Sequence, residues 1–328
     1  MQEQIAVIGA GSWGTALASL IGFSGHLVTI YAFEDEVIKS INEKNENTPF
    51  LAGIKLSENV KAKHFNDIPN MTEKHILWSV PTQFSRRVAE TYRETLKGKD
   101  VLIATKGIEI ATGKLVIEML SEAAEAEYSI LSGPSFAKEV AQGKPTAVSI
   151  ASNSDERAAW WQSVLSTCYF RCYRSDDITG VEIGGAIKNV IALAAGICDG
   201  LGYGYNGRAA IITRGLAEIT RLGVAMGAKK ETFMGLSGMG DLVLTCTGDL
   251  SRNRQVGLKL AEGFSIDEIT GKMNMVAEGV ATAKAAFAYA QKAGIQVPII
   301  EEVYKIIYEG KNPKESAYSL LERPLGKE

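Results

Sequence analysis

Hydrophobic positions in the first half of the chain fall into short β-branched runs separated by longer stretches with helical spacing. Residues 4–8, 27–31, 60–64, 75–80, 101–105, 129–132, 146–151 and 168–173 read as strands, and 15–23, 37–43, 83–96 and 114–125 as helices between several of them. Alternation of this kind predicts a parallel sheet covered on both faces. From Gly180 onward the strand signal stops, and 184–200, 209–226, 252–262, 280–293, 298–308 and 313–321 all read as helices. The change of pattern divides the chain into a Rossmann-like, doubly wound α/β domain over 1–178 and an all-helical substrate or catalytic domain over 179–328.

The stretch 184–200, GGAIKNVIALAAGICDG, is apolar on nearly every side, as a helix inside a domain would be, yet it carries Lys188. At helical spacing Lys188 shares its face with Gly184, Ala192 and Ala195, all small, so something other than this helix's own side chains fills the space above it. A partly desolvated amine there is expected to have a pKa lowered toward the range useful for proton transfer, unless a carboxylate pairs with it. The plainer alternative is a lysine whose stem is buried and whose amine reaches water.

The motif that organises the first half is Gly9-Ala-Gly11-Ser12-Trp13-Gly14, which follows a strand and opens a helix. In that context G-x-G-x-x-G predicts a dinucleotide site. Gly9 permits the tight turn, Gly11 lets a pyrophosphate approach the backbone, Gly14 lets the helix close on the sheet, and the helix N-terminus attracts the phosphate charge. Glu34 falls twenty residues after Gly14, where an acid binds ribose hydroxyls, although Glu34, Asp35 and Glu36 read equally well as the cap of the next helix. Ligands of such sheets bind at the carboxyl ends of strands, which draws notice to Lys106 and to Gly133-Pro134-Ser135. Lys106 would attract an anion there or stand as an exposed charge.

In the second half, 235–247 is glycine-rich, then apolar with one acid, Asp241, a candidate partner for a buried lysine or else the cap of a turn. Ser251-Arg252-Asn253-Arg254 follows as a helix start with Ser251 as N-cap. Arginine in a first helical turn suits a phosphate, whereas the commoner fate of such a pair is solvation at the surface.

Composition removes several classes of function. Among 328 residues 46% are hydrophobic and 22% charged, with a net charge of −3, which gives no case for nucleic acid or an acidic membrane surface. Apolar runs are broken before the ~20 residues of a bilayer span, so no membrane insertion is expected. Cys168, Cys172, Cys198 and Cys246 lack C-x-x-C spacing and there are three histidines, so no metal site is expected and the thiols read as reduced. With no basic-then-apolar leader at residue 1, the expected location is the cytoplasm.

Six stretches, GAGSWGTALA (9–18), ATKGIE (104–109), LSGPSFAKEV (131–140), GAIKNVIALAAGI (185–197), GLSGMGDLVLTCTGDLSRNRQVG (235–257) and VAEGV (276–280), together resemble the NAD(P)-dependent glycerol-3-phosphate dehydrogenases of the bacterial type. The resemblance runs almost end to end. It implies reversible hydride transfer between NAD(P)H and dihydroxyacetone phosphate, giving sn-glycerol 3-phosphate for phospholipid synthesis, by a homodimer. It also implies Lys188 as the proton acceptor, with Lys106, Gly133, Ser135, Asp241, Ser251, Arg252 and Asn253 around the substrate. Ser12, Trp13, Lys106, Ala137, Arg252, Val276 and Glu278 would meet the cofactor; Ala137, Val276 and Glu278 rest on resemblance alone. The family often has a basic residue where this chain has Phe33 followed by Glu34, and frequently a tyrosine at Phe50. Without that basic group, NAD is expected to serve at least as well as NADP. Two other classes remain open at this point: a dehydrogenase of another anionic hydroxy compound, such as a sugar phosphate or β-hydroxyacid, and a dinucleotide-binding regulator without catalysis.

Overall fold

The computed structural model describes residues 2–271 and 277–324. They form two compact units, the first comprising 1–106 and 114–182, the second 107–113 and 183–328. The division thus falls between Glu182 and Ile183, and 107–113, which the sequence pattern placed with the first half, cluster with the second unit.

The first unit runs β1 (Gln4–Ile8), α1 (Ser12–Phe23), β2 (Leu27–Ala32), α2 (Asp35–Lys44), a short α3 (Thr48–Leu51), β3 (Val60–His64) and β4 (His75–Trp78). It continues with α4 (Thr82–Thr91), α5 (Arg93–Leu96), β5 (Asp100–Ile103), α6 (Val116–Ala123), β6 (Glu127–Ser132), α7 (Ala137–Ala141), β7 (Thr146–Ser152), α8 (Asp155–Leu165) and β8 (Phe170–Ser175). The helix expected over 83–96 breaks at Tyr92, where φ −111° and ψ 23° leave the helical region.

The eight strands lie in the order β3-β2-β1-β4-β5-β6-β7-β8. The sheet is not parallel throughout, as the alternation predicted: β7 runs antiparallel to β6. The connection between them contains only the five-residue α7, about 8 Å of helix, too short to return the chain along a strand of about 20 Å. Side chains alternate across the sheet as the period of two requires. Ile5 and Val7 pack with Leu17 and Ile21 of α1 and with Trp161 and Leu165 of α8. Ala6 and Ile8 pack on the other face with Ala89 of α4 and Met119 and Leu120 of α6.

The amino ends of β4 and β5 carry a polar cluster. His75 Nδ1 lies 3.2 Å from Asp100 Oδ2, and Trp161 Nε1 donates to Asp100 Oδ1 at 3.1 Å. Trp160 stacks on His75 with ring centroids 3.5 Å apart.

The remaining chain is helical: α9 (Ile178–Gly200), α10 (Gly204–Ala225), α11 (Asp241–Thr247), α12 (Arg252–Ala261), α13 (Ile266–Thr270), α14 (Glu278–Ala293), α15 (Pro298–Tyr308) and α16 (Pro313–Leu321). At 23 residues and a mean hydropathy of 1.5, α9 is long and apolar enough to cross a bilayer, contrary to the reading of broken apolar runs, and the whole of that window is buried inside the fold. Asp177 Oδ1 accepts the Gly180 N–H at 2.9 Å at its start.

Two helices begin on buried carboxylates. Glu218 accepts the N–H groups of Ile299 and Ile300 at 2.8 and 3.1 Å at the start of α15. Glu182 accepts the Ile117 N–H at 2.9 Å at the start of α6. Burial raises both carboxyls to about 7, although these N–H donors pull the other way.

Candidate active site

The glycine turn between β1 and α1 is built from backbone. Gly9 has φ +108°, and a Cβ there would lie 2.6 Å from the Ser79 carbonyl oxygen at the end of β4; on Gly14 it would lie 2.2 Å from the Gly9 oxygen. Gly11 differs, since a Cβ on it meets nothing within 4 Å. It occupies the N-cap of α1, no side chain caps the helix, and no acid stands in its first turn. A helix start open in this way fits a pyrophosphate. Trp13, in that first turn, has a buried indole Nε1 with no hydrogen-bond partner among the described residues.

Beyond β2, Phe33 is 70% exposed. Glu34 occupies the N-cap position of α2 but its side chain makes no capping hydrogen bond, and Asp35 and Glu36 are the acids of that first turn. Phe50, half-buried, packs on the core beneath α1 together with Trp13.

At the carboxyl ends of β5 and β6, Lys106 Nζ and Ser135 Oγ both donate to the Gly133 carbonyl oxygen, at 3.1 and 3.0 Å. Gly133 has φ +147°, and a Cβ there would lie 2.9 Å from Val148 Cα of β7. Ala137 is the first residue of α7, which packs on α1. Lys106, Gly133 and Ser135, which sequence marked separately, therefore meet at the carboxyl ends of β5 and β6.

In the second unit the Lys188 amine is buried and does not reach out to water, and a carboxylate pairs with it. Its Nζ donates to Asp241 Oδ1 at 2.5 Å and to Thr245 Oγ1 at 2.8 Å. Asp241 is 1% exposed. Above Gly184 the space is occupied by the turn at 236–240: a Cβ there would lie 2.4 Å from the Ser237 oxygen. Thr245 stands one helical turn after Asp241 on α11, and its hydroxyl donates to the Asp241 carbonyl at 2.6 Å. Sequence reading passed over Thr245, although the i, i+4 spacing from Asp241 was the available signal.

Ser251 caps α12 as expected, its Oγ accepting the Arg254 N–H at 3.3 Å. The two arginines of this turn part ways. Arg254 is held by Asp199 at 2.7 Å and by Asp249 at 3.0 Å. Arg252 is exposed and makes no hydrogen bond or ion pair among the described residues; burial of its surroundings lowers its pKa, while the Glu278 carboxylate acts in the opposite sense. Asn253 is engaged internally. Its Nδ2 donates to Asn189 Oδ1 at 2.9 Å and its Oδ1 accepts the Gly279 N–H at 3.0 Å, linking α9, α12 and α14 beside Glu278. Asn189, next to Lys188, was likewise passed over. Val276 lies outside the described residues.

Both halves of the chain match family models, residues 4–158 that of the NAD-dependent glycerol-3-phosphate dehydrogenase N-terminus and residues 177–318 that of its C-terminus. The glycerol-3-phosphate dehydrogenase [NAD(P)+] of Citrifermentans bemidjiense is 51% identical over 332 residues, covering 99% of this chain and 98% of the relative. The crystal structure of glycerol-3-phosphate dehydrogenase from Coxiella burnetii is similar with a TM-score of 0.94 at 37% identity, covering 98% and 99% of the two chains. That of the Saccharomyces cerevisiae enzyme gives a TM-score of 0.82 at 27% identity, over 98% of this chain and 100% of the other.

Proposed function

This chain belongs to the NAD-dependent glycerol-3-phosphate dehydrogenase family, and we propose that it catalyses the reversible NAD(P)H-dependent reduction of dihydroxyacetone phosphate to sn-glycerol 3-phosphate. The observation that carries this reading is the buried amine of Lys188 held between Asp241 and Thr245. A buried ammonium with two oriented acceptors is a costly feature for a protein that only binds a nucleotide, and a suitable one for moving a proton.

The glycine turn, with Ser12 and Trp13, would hold the cofactor's phosphates; Phe33 and Glu34 would meet its adenosine half, and Lys106, Ala137, Arg252 and Glu278 are further contacts. When bound, the cofactor supplies the hydride that goes to the substrate's carbonyl carbon and takes it back in the reverse direction. Lys188 donates a proton to the carbonyl oxygen during reduction and accepts the hydroxyl proton during oxidation. Asp241 and Thr245 fix the direction of the amine. Arg252 and the start of α12 bind the substrate's phosphate, and this binding energy positions the carbonyl. Lys106, Gly133 and Ser135 contribute to the substrate's surroundings. Asn253 acts by joining Asn189 to Gly279.

We further propose a cytoplasmic homodimer: the assembly rests on the family resemblance, and the four free cysteines agree with a reducing compartment. The test is NADH oxidation followed at 340 nm. Dihydroxyacetone phosphate should support it, and in the reverse direction NAD+ should be reduced with sn-glycerol 3-phosphate but not with β-hydroxyacids or 6-phosphogluconate. With Arg252→Ala, use of dihydroxyacetone phosphate should fall at least ~10-fold, with little change in the poor rate on unphosphorylated dihydroxyacetone. Equal proportional losses would remove Arg252 from the phosphate site.

A further inference from the structure

Three aromatic rings stand together where β2 and β3 end. Ala32 and His64, the last residues of the two strands, are register partners, so Phe33 and Phe65 follow them side by side. The Phe33 ring centroid lies 6.2 Å from that of His64, tilted by 35°, and 6.3 Å from that of Phe65, nearly edge-on at 80°. Phe33 is nonetheless 70% exposed, so its packing against the other two leaves most of its surface facing water.

His64 holds this group in place. Its Nδ1 accepts the Asn66 N–H at 3.1 Å, which puts the ring proton on Nε2, and Nε2 then donates to the Phe33 carbonyl oxygen at 3.1 Å. The His64 N–H in turn donates to Asp67 Oδ2 at 3.2 Å. A single imidazole therefore clasps the residue after β2 to the turn after β3. The glycine turn is tied to the same strand, since the Gly9 N–H donates to the Tyr31 carbonyl at 3.0 Å, two residues before Phe33.

The adenosine contact already assigned to Phe33 would present its ring as a stacking platform to the cofactor's purine, and we propose that His64, tilted against Phe33 with Phe65 edge-on beside it, is the positioning residue that sets this platform. The proposal rests on the dinucleotide reading of the glycine turn. A flat apolar surface at the carboxyl end of a parallel strand suits a π-face, and stacking on it removes from water the ring surface that the protein leaves exposed. Glu34, the next residue, brings a carboxylate to the sugar attached to that base. The three consecutive acids Glu34, Asp35 and Glu36 make the place unfavourable for a second phosphate on that sugar.

The test uses calorimetry on the full-length protein with NADH, adenosine 5′-monophosphate and reduced nicotinamide mononucleotide. Phe33→Ala, at an exposed position, should weaken binding of adenosine 5′-monophosphate and NADH at least ~5-fold and leave the nicotinamide fragment within about twofold. His64→Ala should show the same split at about threefold, and His64→Gln, whose amide can still donate to the Phe33 carbonyl, should recover most of it. The positioning role of His64 is overturned if His64→Ala binds all three ligands within about twofold of wild type, and the platform itself if Phe33→Ala does so too. Either is also overturned if its variant weakens the nicotinamide fragment as much as the adenosine one. A wild-type protein that binds neither NADH nor either fragment would instead overturn the dinucleotide reading on which the platform rests.

Discussion

The glycine turn and the Lys188 group handle charge by opposite means. Around Gly9, Gly11 and Gly14 the structure leaves side chains out, so that the peptide groups at the start of α1 stay uncovered and the helix can seat on the sheet. Around Lys188 it crowds polar side chains into the core, where each needs the others as partners. The first arrangement fails when an atom is added, the second when an atom is removed.

The largest expected effect comes from removing the amine. Lys188→Met should lower turnover at least ~100-fold with NADH affinity little changed, and should also lower stability, because Asp241 is left buried without its ammonium. Adding Asp241→Leu should restore much of the melting temperature and none of the turnover. A single variant that kept a tenth of wild-type turnover would end the assignment of Lys188 as the proton donor.

Adding an atom to the glycine turn should separate its two duties. Gly11→Ala places its methyl where no protein atom lies within 4 Å, so NADH affinity should fall at least ~10-fold with a change in stability of no more than ~1 kcal/mol. Gly14→Ala drives its methyl against the Gly9 oxygen and should lose both affinity and stability. If calorimetry and thermal melts gave the two variants the same profile, the open space above Gly11 would not be where phosphate binds.

A smaller effect is expected from charge near the ribose. Wild type should use NADH at least as well as NADPH, and Phe33→Arg with Glu34→Ser should shift the ratio of kcat/KM toward NADPH by about tenfold. A wild type favouring NADPH tenfold would show that Glu34 does not face the ribose.

An effect on stability alone, with none on turnover, concerns the helix starts at Glu218 and Glu182, buried like Lys188 but held by backbone donors. Their folded-state pKa of about 7 exceeds the ordinary carboxyl value of 4.5, so the folded form binds more protons between those values. The stability they confer is full below pH 4.5 and is lost as pH rises through 7, by up to about 3 kcal/mol per group. Glu218→Gln should flatten the fall in melting temperature between pH 5 and pH 8. An unchanged slope would mean that Glu218 does not titrate in that range.

The same contrast explains what could be read in the sequence. The glycine turn is a local pattern, six residues whose spacing follows from backbone geometry, and β1, a short apolar run, and β3 were placed to the residue. Lys188 meets Asp241 and Thr245, and Asn189 meets Asn253, through packing of helices distant in sequence, which no local period records. The residue pattern already offered Asp241 as a partner for a buried lysine, whereas Thr245, one turn further along the same helix, was not picked out. The antiparallel turn to β7 was missed for a related reason: the strands were visible, but their direction depended on the short reach of α7.

The four tryptophans give this chain an optical division of labour. Trp13 stands in the first turn of α1, beside the open N-terminus above Gly11, while Trp160 and Trp161 sit at the amino ends of β4 and β5, stacked on His75 and hydrogen-bonded to Asp100. Trp78 is sealed in the core with its Nε1 donating to Ser85 Oγ at 3.0 Å. Intrinsic fluorescence therefore carries separable signals. A Trp13→Phe variant keeps the emission that reports opening of the sheet's far end, and a Trp160→Phe variant keeps the one that reports what enters the glycine turn.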